Sequence, residues 1–241
     1  MLKIAHRGAS GYAPENTLIA FEKAIEMGAD MIELDVQLSS DDELMVIHDS
    51  VVNRITNDQG KVRKMTLEQL KKLDVGQGEK IPTLKEVIDL IAGRCKLNIE
   101  IKSKKSAQKI LALVKDHTIK EEDIIVSSKH FNEIVLIEKS HEPIETALVF
   151  WSADNALMQV LFCLIKPLMF LIEPVLIKKL KRNQINGFHV VYPLFSKRLL
   201  RRFREAGLKV RVWAVSNQML INKYKKAGVD GIFSNYPDRL I

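Results

Sequence analysis

Residues 31–49, MIELDVQLSSDDELMVIHD, decide how the strands of this chain are counted. Residues 31–36 form a β-rich run in which Glu33 and Asp35, two positions apart, share one face. A second such run, 43–48, follows after only Ser39-Ser40-Asp41-Asp42. A parallel crossover takes roughly a dozen residues or more, so runs this close can pair only antiparallel, as a hairpin. The second run therefore extends its neighbour and drops out of the main count.

With that run set aside, the rest of the chain alternates. Strands are predicted at 3–5, 31–36, 97–101, 124–127, 147–150, 188–191, 210–215 and 231–233. Helices are predicted at 18–27, 84–92, 107–117, 134–140, 198–206 and 219–227. Asn16 or Thr17 can cap the first helix, and Gly28, Gly93, Gly207 and Gly228 follow helical runs where a glycine ends the helix. Strict alternation of strand and helix argues for a parallel sheet. Eight parallel strands in 241 residues predict an α/β fold, a (β/α)8 TIM barrel, which needs roughly 250 residues. The expected organisation is one domain over 1–241. It has an extra hairpin strand after strand 2, an insertion at 49–82 on the catalytic face with a helical stretch near 67–73, and an apolar segment at 156–180.

Composition narrows the partners. With 46% hydrophobic and 28% charged residues, the chain is not of the disordered class. A net charge of +7 favours anionic partners: phosphate esters, nucleic acid or an acidic membrane surface. The basic runs 178–182 and 201–204 read equally well as solvated helix faces. Two cysteines, Cys95 and Cys163, imply no disulfide framework and are read as small core residues. The first strand begins by Leu2 and leaves no room for a leader, so a cytoplasmic protein is expected.

Three clusters carry the chemistry: His6-Arg7-Gly8, then Glu33-Leu34-Asp35 with His48-Asp49, then Glu100-Ile101-Lys102. Each lies at the C-terminal end of a predicted strand, the end where barrel enzymes place their sites. Converging carboxylates repel one another, and a hard divalent cation with oxygen ligands offsets that best. An oxygen-ligated cation flanked by Arg7 and Lys102 suits a phosphate ester, and His6 and His48 supply an acid–base pair near neutrality. Each pattern alone is common. An acidic pair usually lies at the surface, and a lone histidine is usually a satisfied polar side chain. Their coincidence at the same ends of the first three βα units is what points to a site, as does the cost of unpaired charge in apolar strands.

Taken together, His6-Arg7-Gly8, Pro14-Glu15-Asn16-Thr17, Ala20-Phe21, Gly28-Ala29-Asp30, Glu33-x-Asp35-Val36 and His48-Asp49 resemble the N-terminal signature of glycerophosphodiester phosphodiesterases. The resemblance continues through Ile81-Pro82-Thr83-Leu84, 98–102, Trp213, 228–232 and Tyr236-Pro237-Asp238, and is poor across 128–186. It implies Glu33, Asp35 and Glu100 as ligands of one divalent cation, magnesium or calcium. It implies His6 and His48 as general acid and base, and Arg7 and Lys102 as phosphate contacts. Glu15 and Asn16 either orient the site or, for Asn16, cap the first helix; Trp213 lines the pocket or is a core aromatic. The implied reaction is hydrolysis of a small glycerophosphodiester to glycerol 3-phosphate and an alcohol, without nucleic acid as a partner. A lysophospholipase D acting at a membrane and a non-catalytic lipid- or protein-binding barrel are the alternatives. The signatures at 14–17 and 228–231 disfavour a phosphoinositide phospholipase C. His117, His130 and His141 are expected at the surface, and His189 is read as a packed strand residue.

The apolar stretch 156–180 is interrupted by Lys166, Pro167, Glu173 and Pro174 and is not read as a membrane span. Three readings are carried forward: a broken helix packed on the barrel, a flap seated on a membrane surface, and a homodimer contact.

Overall fold

The computed structural model describes residues 1–115, 119–150 and 156–241, and of 156–164 the helical backbone alone. Among the described residues the strands are β1 (Leu2–His6), β2 (Met31–Leu38), β3 (Leu44–Val46), β4 (Lys96–Ile101), β5 (Ile124–Ser128), β6 (Glu145–Phe150), β7 (Gly187–Val191), β8 (Lys209–Trp213) and β9 (Gly231–Ser234). All but β3 run parallel in one ring, closed where β1 pairs with β2 on one side and β9 on the other. β3 pairs antiparallel with β2, Val36 opposite Val46, and stays outside the ring. The fold is the expected (β/α)8 barrel with one hairpin strand added after its second strand.

Helices α1 (Leu18–Glu26), α2 (Leu67–Lys72), α3 (Leu84–Ile91), α4 (Ala107–Lys115), α5 (Phe131–Glu138), α6 (Ala156–Arg182), α7 (Lys197–Glu205) and α8 (Gln218–Ala227) surround it. All but α2 lead from one ring strand to the next. β2 explains how one strand serves core and site together. Ile32, Leu34 and Val36 join the apolar layer with Phe21, Leu84 and Val87, each burial contributing about 1.5–3 kcal/mol. The alternate residues Met31, Glu33 and Asp35 share the opposite face, toward the barrel axis, where Met31 packs with Ile4, Ile125, Ala147 and Phe233. Within 49–82, Val52, Val62, Leu70, Val75 and Ile81 pack with Met45 and Ile47 in a small cluster of their own. There α2 starts on a reciprocal cap between Thr66 and Gln69.

β2 runs on to Leu38, β3 is shortened to Leu44–Val46 and β6 starts at Glu145; α5, β8 and α6 also depart from expectation. α5 begins at Phe131 rather than 134, and Phe131 packs beneath the Lys179 ammonium, 3.8 Å from its ring centre. β8 ends at Trp213 rather than 215, although the Val215 amide still donates to the Phe233 carbonyl of β9 at 2.7 Å. α6 is one helix of 27 residues that carries Pro167 and Pro174 inside it, where a broken one was expected. Both prolines are exposed. Each removes one backbone hydrogen bond, and on the solvent face water can satisfy the carbonyl that is freed. The predicted helix 107–117 is seen to Lys115, and His117 lies outside the described residues.

Candidate active site

The loop after β1 turns sharply into the barrel mouth, with Arg7, Gly8 and Asn16 all in the left-handed region. A Cβ on Gly8 would lie 2.7 Å from the Ala20 carbonyl carbon, so only glycine lets this loop press onto α1. The turn directs the Arg7 amide to Glu33 Oε2 at 2.9 Å. Thr17, not Asn16, caps α1, accepting from the Ala20 amide. Asn16 instead bonds Asp35 both ways: its Nδ2 donates to Oδ2 at 2.9 Å, and its Oδ1 accepts from the Asp35 amide at 3.3 Å.

Strand register assembles the acids. Glu33 lies opposite His6, and Asp35 opposite Glu100. One oxygen from each of Glu33, Asp35 and Glu100 falls within 4.8 Å of the others. Glu33 and Asp35 are each 1% exposed. Lys102 Nζ sits 2.5 Å from Glu100 Oε1 and 3.1 Å from Asp35 Oδ1. Arg7 Nε sits 3.2 Å from Asp35 Oδ2, and its Nη1 lies 3.0 Å from Glu15 Oε1.

These contacts divide the acids. Burial opposes ionisation of Asp35, but Lys102 and Arg7 together outweigh it and hold the carboxyl below the usual range. Burial, then the Asp35 and Glu100 charges, push Glu33 well above it. The uncharged form of Glu33 is thereby favoured. Its Oε1 is buried and has no hydrogen-bond partner. A hard divalent cation fits this cluster: it takes oxygen ligands, would engage the orphaned Glu33 oxygen and would remove the reason for the proton.

The two histidines are held alike but by different partners. His6 Nδ1 donates to Asn235 Oδ1 at 2.7 Å and His48 Nδ1 to Asp49 Oδ1 at 2.6 Å, which leaves each Nε2 for chemistry. Burial, reinforced by Arg7, lowers His6 to about 4. Arg54, from the 49–82 segment, ties the outer wall by bonding Asp49 Oδ2 and Glu15 Oε1, each at 2.5 Å.

Six of these residues face a cavity of about 240 Å³. His6, Arg7, Glu33, His48, Glu100 and Lys102 form one wall; Val149, His189, Val191, Trp213 and Phe233 form the other. A larger hollow of about 710 Å³ between α7 and α8, lined by Lys197, Met219 and Asn222, holds neither a histidine nor a carboxylate and is not a candidate.

The residues singled out in the sequence therefore meet in one place, with Asp35 held behind the cavity by Asn16 and Arg7, and Arg7 held by Glu15. The sequence reading missed the partners Asn235 and Arg54. It also placed His130 at the surface, whereas His130 is half-buried and its Nε2 donates to the Lys102 carbonyl at 3.0 Å. The available signal was its position just after β5, at the barrel end that carries the other clusters. His189 is buried in its strand as expected, yet also lines the cavity. His141 is exposed, Cys95 is half-buried, and the side chain of Cys163 lies outside those described.

A sequence profile of the Glycerophosphoryl diester phosphodiesterase family matches residues 6–239. A glycerophosphodiester phosphodiesterase of Caldanaerobacter subterraneus is 37% identical over 253 residues, spanning 100% of this chain and 96% of that protein. The lysophospholipase D GDPD1 of Rattus norvegicus is 29% identical, spanning 98% of this chain and 84% of that one. Among solved structures, an Oleispira antarctica phosphodiesterase in complex with the product sn-glycerol-3-phosphate superposes with a TM-score of 0.82. It is 28% identical, over 98% of this chain and 94% of that one.

Proposed function

The chain belongs to the glycerophosphoryl diester phosphodiesterase family, and we propose that it hydrolyses small glycerophosphodiesters to glycerol 3-phosphate and an alcohol, with one divalent cation and a His6–His48 acid–base pair. The observation that carries this reading is the convergence of Glu33, Asp35 and Glu100 within 4.8 Å beside two histidines whose Nδ1 atoms are already occupied.

In this reading Glu33, Asp35 and Glu100 hold the cation, magnesium or calcium, which when bound supplies positive charge to the phosphate oxygens. Arg7 and Lys102, kept charged by their carboxylate partners, hold the same oxygens and the charge that grows on them. His6 is tied to a neutral amide, and burial keeps it neutral, so its Nε2 can take a proton from the attacking hydroxyl. That hydroxyl belongs to water, or to the glyceryl group itself, in which case a water then opens the cyclic phosphate to glycerol phosphate. His48 has its ring fixed by Asp49, so its Nε2 is the group placed to deliver a proton to the departing alcohol. Trp213 lines the opposite wall against the organic part of the substrate, and Glu15 and Asn16 orient Arg7 and Asp35. The test is release of glycerol 3-phosphate from glycerophosphocholine, with and without chelator. No release under any divalent cation would overturn the reading.

A second reading, action on lysophospholipids at an anionic membrane surface, rests on α6. Leu168, Phe170, Leu171 and Val175 are 45–66% exposed there, and the exposed Lys178, Lys179, Lys181 and Arg182 follow. No helix among the described residues is long and apolar enough to cross a membrane, so contact would be peripheral. The triple variant L168S/L171S/V175S should lose sedimentation with phosphatidylglycerol vesicles while keeping activity on glycerophosphocholine. A shift from dimer to monomer with no change in vesicle binding would make this face a homodimer contact instead. On either reading residues 1–241 work as one domain, in the cytoplasm or at its membrane face.

A further inference from the structure

The chemistry above uses the wall built by β1, β2 and β4 and leaves a buried polar chain behind the other wall unexplained. His189 on β7 and Arg211 on β8 lie opposite each other in register, and each is 1% exposed. Barrel interiors are ordinarily filled by branched apolar side chains, and a buried charge there needs a partner. Arg211 Nη1 has one in Glu145 Oε1, 2.7 Å away, and makes a second, long contact of 3.4 Å with His189 Nε2. Glu145 opens β6, four residues before Val149, the residue opposite His189. The guanidinium is therefore drawn toward the barrel floor, where Arg211 and Glu145 line a separate hollow, while His189 lines the catalytic cavity above. Gly231 beside Arg211 makes room for its stem: a Cβ there would sit 3.2 Å from Arg211 Cγ and Cδ.

An arginine can only donate, so His189 Nε2 must accept and the ring proton resides on Nδ1. Burial, with Arg211, holds His189 well below its ordinary range, so the ring is neutral and has one proton to place. In an imidazole Nδ1 lies across the ring from the Cδ2–Nε2 bond. With Nε2 turned to the floor, the Nδ1–H faces the mouth. The Phe233 ring, 5.0 Å away and edge-on, fixes the imidazole plane. Trp213 Nε1, in the same wall, is buried with no partner among the described residues. An otherwise apolar wall thus carries two N–H donors beside the place where the organic part of a diester must lie.

We infer that His189 is a specificity-determining contact, donating Nδ1–H to a free hydroxyl on the glyceryl group of the substrate, and that Arg211, anchored by Glu145, is the positioning residue that sets its tautomer. The inference deepens the phosphodiesterase reading and rests on it. A desolvated donor left unpaired penalises any diester without a hydroxyl at that place, which is how such a site discriminates.

The experiment compares glycerophosphocholine with bis(p-nitrophenyl) phosphate, which has no hydroxyl. H189F should raise KM for the first about tenfold, the value of one hydrogen bond, with kcat nearly kept, and should lower KM for the second, which no longer faces an unpaired donor. H189Q, which restores an N–H donor, should recover part of the difference. An H189F enzyme with the wild-type ratio between the two substrates overturns the proposal. Long-range proton–nitrogen correlation on the wild-type protein reads the tautomer without any substitution: a Nδ1–H signature is expected for His189, and a Nε2–H signature overturns the role of Arg211. In R211M/E145M, which removes both charges together, the signature should become mixed and KM should follow. An unmixed Nδ1–H signature in that variant would also remove Arg211 from the account. A wild-type enzyme that cleaves neither diester would instead sink the phosphodiesterase reading, while the tautomer would still be measurable.

Discussion

On one side of the cavity, β1, β2 and β4 crowd three carboxyl groups, two cations and His6 into contact, with His48 added by the hairpin; on the other, β6 to β9 present Val149, Val191 and Phe233, with His189 and Trp213 set among them. The first wall is held by charge. Its members lie within 2.5–3.2 Å of their partners, and each neutralises part of a neighbour that could not stand alone in so buried a place. The second wall is held by packing and offers shape with a few N–H donors. On the proposed reading a phosphodiester uses both: one wall for the phosphoryl group and proton transfer, the other to choose among organic groups. Changes on the first wall should therefore act on kcat by orders of magnitude, and changes on the second on KM by about tenfold.

The largest effect should come from the histidines. His6→Ala and His48→Ala should each lower kcat about 10²–10⁴-fold, the range for a positioned acid or base, while the thermal midpoint barely moves. Near-wild-type rates in both would remove the acid–base assignment.

Glu33→Gln comes next and separates cation binding from fold. Burial and the Asp35 and Glu100 charges favour the uncharged form of Glu33, for which glutamine is a near-isostere. The chelated variant should be as stable as the chelated wild type. The wild type should gain about 2.7 kcal/mol from cation at one hundred times its Kd, and the variant almost nothing. Equal gains would place the cation elsewhere.

A smaller effect concerns pH. His6 is lowered by burial to about 4 in the folded protein, against 6.5 in the unfolded chain. Between those values the unfolded state binds more protons, so the contribution of His6 to stability is present above about 6.5 and is lost as pH falls toward 4. Denaturant titrations of chelated wild type and His6→Phe should differ by this slope, and parallel curves would contradict it. Smallest of all, burial raises the Cys95 thiol to about 11, so at pH 8 it should react with a disulfide reagent far more slowly than a free thiol. Rapid labelling of Cys95 would show the site to be more open than its half-buried position implies.

The same two walls explain what the sequence revealed. Glu33 and Asp35 were legible because residues two apart on a strand must share a face, and the hairpin because four residues cannot make a parallel crossover. Asn16 was ambiguous because its type suits a cap as well as a bond to Asp35, and only the left-handed turn at Asn16 decides. Asn235 and Arg54 were not legible. Asn235 reaches His6 across 229 residues through ring closure, and Arg54, in an aperiodic segment, joins Asp49 close by to Glu15, 39 residues away. His189 looked like a packed strand residue and is one. Its second role depends on which strand stands beside it and on a glycine two strands from its own. The unbroken α6 was missed because proline rules describe a helix interior, and here both prolines face solvent.

The most direct test is a titration of magnesium and, separately, calcium into chelator-stripped protein, following glycerol 3-phosphate release from glycerophosphocholine and heat of binding together. Activity should be absent at the start and should rise in step with one bound ion per chain, and both signals should vanish in Glu33→Gln. Full activity in the stripped protein, or an ion that binds Glu33→Gln as tightly as the wild type, would contradict the account.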